Sequence, residues 1–492
     1  MYHISDCKKY SRCPRLFYLE ANAEKQEYRP YVRLDEEITL LAAEKLGITK
    51  CYKGERGAEP QEALDALKSE EWLLKARFEY RGLRVKIPFL HKNGDGWDLY
   101  FLFTGLCPRA DDLQFYCDSE WVLSHNGIAV KNWYVIHLNG SYVRGDELDV
   151  NELFVISSCF YNAKGNPSIS VEDAIMNNRR DLTADLACMD RVLAGDIPTA
   201  RRTNVCTGRT KCRHYSECFE QEKEEDDNSI LNLIGSQHRY TMKREGRLRL
   251  RDADPARIEG SRQQYAQICS DMEEEGLFAD RLALHAWLEE IRWPIAFIDF
   301  EWERFAVPPY KGMKPYDVLP FEYSIDVLYE NGEHTHNVFL SVGDDRKELA
   351  LNLLRDIPQT GSVIAYNAEG AEKIRIAELA ELFPELRDDL LGINARMEDL
   401  QLPFEAGVIY DTRMRGQWSL KMIMSMMDDP GYHDLDIQQG MDAVFQWRHL
   451  DLSEEIENRD EIIASLKAYC GMDSYAMTVI FDWLKQIDGT PA

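Results

Sequence analysis

"IAFIDFEWE" spans Ile295 to Glu303 and sets two acids into an otherwise apolar run. Read as a β-strand, its side chains alternate between faces, so Asp299 and Glu301 project together. Two carboxylates on one face of a buried strand are unfavourable unless a cation offsets their charge. Exposed strands also produce Asp-x-Glu, so the pair needs support from the rest of the chain.

Support comes from both sides. Strands are expected at 295–301, 321–330 and 335–341, a helix from about 345, a strand in "SVIAYN" (362–367), a helix through "AEKIRIAELAELF" and a last helix over about 460–486. The strand "SVIAYN" ends in Asn367, with Glu369 and Glu372 at the start of the next helix. "YCGMD" places Tyr469 four residues before Asp473, on one face of the last helix. Asp399, in "MEDLQLPF", reads equally as a further acid near the site or as a loop charge. In "RGQWSLKMIM" (415–424), Lys421 or Trp418 could meet a nucleic-acid strand through phosphate or base stacking, although such a tryptophan is more often packing.

Together these residues resemble the DEDD family of 3′–5′ exonucleases. The resemblance implies an RNase H-like fold and two Mg²⁺ or Mn²⁺ ions held by Asp299, Glu301, Glu372 and Asp473. It also implies that Tyr469 orients the attacking water and that Asn367 lies beside the nucleic acid. The sequence departs from the family at the second motif, which has Glu for Asp, one extra residue of spacing, and Ala371 where an aromatic is usual. Glu369 therefore remains an alternative to Glu372.

The N-terminal half has a different pattern. Residues 72–105 read as a β-meander, "ARFEYRG", "LRVKIPFLH" and "WDLYFLFTG", with a turn at "NGDG" (93–96). "ARFEYRG" alternates apolar and polar positions, "LRVKIPFLH" does so less cleanly, and "WDLYFLFTG" is nearly all apolar. A helix near 110–124, the strand "NWYVIHL" and one long helix from Val171 to Leu193 follow. Then comes "CTGRTKCRHYSEC", residues 206–218, with three cysteines at six-residue intervals. Within that stretch only His214 could complete a tetrahedral zinc site. Outside it the candidates are Cys13, in "YSRCPRLFYLE", and, more weakly, Cys7.

The Tyr, Cys-Pro-Arg and aromatic run near the start, paired with three cysteines after a meander and helix, resembles the RecB/AddB-type iron–sulfur nucleases. The CRISPR adaptation nucleases belong to that group. The resemblance implies a PD-(D/E)XK-like domain over roughly 1–220, clasped by a [4Fe–4S] cluster on Cys13, Cys206, Cys212 and Cys218, with zinc as the alternative. Such enzymes cut with an acid on one strand and a Glu/Asp-x-Lys on the next. Those positions fall near Pro88 and near Phe101 and Phe103, and neither place has an acid or a lysine. Asp95 and Asp98 look like solvated residues of the turn and the strand start. The domain thus reads as a nuclease fold without its catalytic acids.

The whole chain resembles a bacterial family that fuses such a cluster domain to a DEDD-type domain. The expected architecture is α/β throughout: a cluster domain over 1–220, an acidic loop and helical connector over 221–290, and a DEDD exonuclease domain over 291–492. The 492 residues are enough for two or three cores. The formal net charge of −28 repels nucleic acid on average, so a nucleic-acid enzyme must segregate its cations. Arg201, Arg202, Arg209, Lys211 and Arg213 surround the cysteines, and a second basic run extends from Lys243 to Arg251. Each run alone reads slightly better as a solvated face.

The expected partner is nucleic acid, DNA ahead of RNA, with a protein partner also compatible with the charge. No membrane span or signal peptide is read from the sequence, and a cytoplasmic setting with reduced cysteines is the expectation. Two other functions stay open: a non-catalytic scaffold or regulator, and a redox sensor switched by the cluster.

Overall fold

A computed structural model describes residues 1–24, 29–34, 38–207, 211–219, 227–427, 431–437, 439–452 and 456–489. The chain is mixed α/β and divides into two compact units. The first comprises Met1–Lys223 with Arg304–Asp317, and the second Glu224–Glu303 with Val318–Ala492. Among the described residues, no helix is long and apolar enough to cross a membrane.

In the first unit, α1 (Ile4–Arg12) and α2 (Pro14–Asn22) meet at Cys13. Pro14 cannot continue a helix from behind and disfavours helical backbone at the residue before it, so Cys13 is extended, with φ −166°. The meander is β1 (Trp72–Tyr80), β2 (Leu83–Asn93) and β3 (Gly96–Phe103), then α3 (Leu113–His125), β4 (Val130–Leu138) and β5 (Phe154–Ser157). These strands lie in that order in one sheet, flanked by the two-residue strands Tyr52–Lys53 on β1 and Tyr2–His3 on β2. β3 and β4 run parallel, and the other long neighbours run antiparallel.

The uneven alternation of "LRVKIPFLH" has a structural cause. The β1–β2 ladder skips the rung where Lys75 faces Pro88, and Lys75 has φ +52°. On both strands the side-chain phase inverts there. Leu73, Ala76 and Phe78 of β1, with Val85, Ile87 and Leu90 of β2, all enter one core, whereas Leu74 and Phe89 enter another on the opposite face.

The long helix expected from Val171 to Leu193 is two helices, α4 (Val171–Asn177) and α5 (Thr183–Leu193). Asn178 ends the first, and the Asp181 carboxylate accepts the Thr183 N–H at 2.9 Å ahead of the second. The break lets Arg179 and Arg180 reach Glu120 and Asp118 on α3, two buried carboxylates that need cationic partners.

The second unit is built on a five-stranded sheet of β6 (Ile295–Arg304), β7 (Val318–Leu328), β8 (His334–Leu340), β9 (Ser362–Ala365) and β10 (Met397–Asp399), in the order β8-β7-β6-β9-β10. β7 and β8 are antiparallel, while β6–β9 and β9–β10 are parallel. The helices α6 (Arg346–Asp356), α7 (Glu372–Leu382) and α8 (Arg387–Asn394) bury Leu349, Leu353, Ile376, Leu379 and Leu390 against Ala296, Ile298 and Phe300 on one sheet face. On the other face, Ile295 and Phe297 pack with Met477, Ile480, Phe481 and Leu484 of α11 (Arg459–Asp488). Ile230, Leu233, Leu250 and Leu284 join that second core. Between α8 and α11 lie two further helices, α9 (Leu420–Met424) and α10 (Gly440–Leu452).

Candidate metal centre

Period two on β6 sends Asp299 and Glu301 to the face that α11 covers. On α11, Tyr469 and Asp473 stand one turn apart and continue the stripe of Met477, Ile480 and Leu484. The helix therefore grips the sheet with its apolar turns and presents Asp473 to the strand acids. Carboxylate oxygens of Asp299, Glu301 and Asp473 lie within 4.8 Å of one another, a spacing that one cation could share.

Glu303 shares the same strand phase but has another role. It is buried in a bidentate pair with Arg448 of α10, with Nη2 to Oε1 at 3.1 Å. Of the two alternatives at the second motif, Glu372 is buried and Glu369 is exposed and paired with Lys373. One oxygen of Glu372 is buried without a hydrogen-bond partner. Asp399 holds the connecting turn: it accepts the N–H groups of Asn367 and Gln401 at 2.9 and 2.8 Å. Asn367 is exposed, with φ +64°, and its side-chain amide lies over Gly370, where a Cβ would come within 2.6 Å of it.

The electrostatics are those of acids crowded together. Burial, and then Asp473, Glu372 and Glu301, hold the Asp299 carboxyl well above the usual range. Burial and Asp473 do the same to Glu301. Glu372 is pushed up to about 8 by burial and by Asp399, and Asp473 to about 6 by burial. A divalent cation reverses this balance, because it favours the ionised form of every acid around it.

Two tyrosines and a lysine complete the site. Tyr432 donates to Asp473, and Tyr469 also hydrogen-bonds it. Lys421 of α9 donates to the Tyr469 hydroxyl at 2.9 Å and lies over both rings, 4.4 Å from the Tyr469 centroid and 4.6 Å from that of Tyr432. Burial lowers the Lys421 pKa against the opposing pull of Asp473, Glu301 and Asp299. Trp418 packs against the surrounding core, in keeping with a packing role.

Sequence reasoning missed Tyr432, which sits in a short 3-10 helix, Gly431–Asp434, with no pattern to mark it. It also missed Glu322 of β7, fully buried, with neither oxygen hydrogen-bonded and a pKa pushed up to about 8 by burial. Glu322 adds to the negative potential at Asp299 and Glu301. An acid inside the apolar run "VLPFEYSIDVL" was its visible signal. Gly440 leaves space at the site: a Cβ there would stand 3.6 Å from both Glu301 Oε1 and the Tyr469 hydroxyl.

In the first unit, Cys13, Cys206, Cys212 and Cys218 line a single cavity of about 370 Å³ together with Arg12, Arg15 and Arg201. Arg15 donates to Cys218 Sγ at 3.3 Å. Cys7 is elsewhere, buried in the core beside Phe17. His214 has both ring nitrogens engaged, by Glu20 at 2.9 Å and Glu217 at 2.8 Å, which leaves Cys13 as the fourth candidate. Lys211 lies over the Tyr215 ring, Arg213 bonds Glu20, and Arg209 falls outside the described residues. Of the second basic run, Arg249 and Arg251 pair with Asp271, and Arg247 with Asp254.

Of the strand residues around the expected acid positions, Phe101 is fully buried, whereas Pro88, Leu102 and Thr104 line a cavity. None is acidic. Asp98 is not solvated as expected: it is buried and accepts from Asn93 at 3.0 Å and Asn132 at 2.7 Å, tying the hairpin to β4.

Residues 296–419 match the family described as Domain of unknown function (DUF2779). That segment carries Asp299, Glu301, Glu372 and Asp399 and stops short of Lys421, Tyr469 and Asp473. No curated protein matches the chain. Among solved structures, the chain is similar to the family B DNA polymerase from the hyperthermophilic archaeon Pyrobaculum calidifontis. Identity is 11% over 38% of this chain and 24% of that chain, with a TM-score of 0.22. The match thus spans about a quarter of the polymerase.

Proposed function

We propose that the second unit is a metal-dependent nuclease, a DEDD-type 3′–5′ exonuclease on an RNase H-like sheet, acting on DNA ahead of RNA. The observation that carries this is the convergence of Asp299, Glu301 and Asp473 within 4.8 Å, with Glu372 buried and incompletely bonded nearby. The strand order, with the acid-bearing strand central and one antiparallel hairpin at its edge, suits the same reading.

Mg²⁺ or Mn²⁺ bound by Asp299, Glu301, Glu372 and Asp473 would supply charge stabilisation for an in-line displacement at phosphorus. The chain's own residues do the rest. Tyr469 keeps its proton, since burial and Asp473 raise its pKa. Its hydroxyl is held by Lys421, so it can orient a water against the scissile phosphate. Lys421 places positive charge where a phosphate would enter.

The test is Mn²⁺-dependent release of nucleotides from end-labelled single strands. Asp299→Ala and Asp473→Ala are each expected to lower the rate by at least about a hundredfold, as loss of a metal ligand should. Should both variants match the wild type, the enzyme reading fails and a non-catalytic scaffold takes its place.

For the first unit we infer a [4Fe–4S] cluster on Cys13, Cys206, Cys212 and Cys218. The support is that the four thiols line one cavity of about 370 Å³. Anaerobically purified protein should be brown and hold about four iron atoms, falling to none in Cys13→Ser. One zinc and no iron would overturn the assignment.

A further inference from the structure

A second cavity in the first unit, of about 490 Å³, opens where the β1–β2 ladder skips its rung. Lys8, Lys75, Arg84 and Lys86 line it, along with Pro88 and Thr104, and among the described residues no carboxylate does. Arg84 is already neutralised by Glu79 at 2.9 Å. Among the described residues, Lys75 and Lys86 have no such partner. Burial, and then the charges of Lys75 and Arg77, lower the Lys86 pKa.

The backbone is committed to this arrangement. Lys75 takes a left-handed conformation that a lysine adopts only under constraint. Gly54 leaves room for it, since a Cβ at that position would meet the Lys75 carbonyl at 2.4 Å. Arg77 ties the two segments by donating to Gly54 O at 2.7 Å. Two like charges beside each other, one of them on a left-handed backbone, are unfavourable unless an anion offsets them. The N-terminus of α1 is nearby, but Asp6 already accepts the His3 N–H at 2.9 Å, so it is given no part.

We propose that this cavity binds the phosphate group of a nucleotide or of a nucleic-acid strand, with Lys75 and Lys86 as its cations. The volume suits a mononucleotide-sized group. Lysine serves phosphate as a point charge, without the bidentate fork of arginine. Every lining residue belongs to the first unit, so the proposal is independent of the carboxylate chemistry in the second.

The test is calorimetric titration of the full chain in EDTA, where the carboxylate site repels phosphate and hydrolysis is silent. The probes are dAMP, deoxyadenosine, and a 12-nucleotide strand with and without a 5′-phosphate. Lys75→Gly and Lys86→Gln serve as variants, the first because glycine tolerates the left-handed backbone, with thermal melts to confirm folding. Binding of dAMP is expected to weaken about tenfold in each variant, as for loss of one charged hydrogen bond. Deoxyadenosine should bind at least about tenfold more weakly than dAMP. Reduced binding of the strand alone would identify a strand phosphate as the ligand, and of dAMP alone a free nucleotide. No binding by any probe, equal binding of deoxyadenosine, or affinities unchanged in folded variants would overturn the proposal.

Discussion

Glu372 and Glu369 lie three residues apart and differ in what surrounds them. Glu372 is buried with one oxygen unbonded, and its carboxyl is pushed up to about 8. Such a group gains from a cation. Glu369 is exposed and pairs with Lys373 one helical turn on, an arrangement that contributes little in water. Glu372→Ala should therefore weaken Mn²⁺ binding about tenfold or more, read by calorimetry. Glu369→Ala should leave both Mn²⁺ affinity and stability unchanged, within about 0.5 kcal/mol. The reverse pattern would move the second motif to Glu369.

At the scale of elements, the site depends on how closely α11 approaches the sheet. Asp326 of β7, buried, accepts from Ser474 at 2.6 Å and from His336 of β8 at 3.0 Å, and Ser324 donates to the Cys470 carbonyl at 2.5 Å. Gly471 faces β8 there, and an added Cβ would meet His336 Nε2 at 3.0 Å. Gly471→Val forces that helix outward and should cost about 1–3 kcal/mol, measured by denaturant unfolding. It should also lower nucleotide release, because Tyr469 and Asp473 ride on the displaced turn. A variant with full stability and full activity would mean that the contact is dispensable.

At the scale of the whole molecule, the raised carboxyl groups couple stability to pH. Glu322 and Glu372 are pushed up to about 8 and Asp473 to about 6, from ordinary values near 4. Between about pH 4 and 8 the folded protein thus retains protons that the unfolded chain releases, so stability falls as pH rises through that window. Metal-free protein should melt at progressively lower temperature from pH 5 to 8. Mn²⁺ binds the ionised folded site and should raise the melting temperature more at pH 8 than at pH 5.5. A flat profile in EDTA would contradict the crowding of these acids.

Much of this was legible in the sequence, and the reason is local periodicity. Alternation in "IAFIDFEWE" placed Asp299 and Glu301 on one face, and the four-residue step in "YCGMD" placed Tyr469 with Asp473. Local pattern could not distinguish Glu301 from Glu303, because both have the same strand phase and only the reach of Arg448 separates them. Nor could it find Tyr432, the buried Asp98, or the split of the helix at 178–182, where the decisive partners lie tens of residues away. The rung at Lys75 and Pro88 is the clearest case. The sequence alone determined that "LRVKIPFLH" was a strand with imperfect alternation. Only the tertiary structure decided that two neighbouring strands invert together there, since that requires two cores on opposite faces of one sheet to be filled at once.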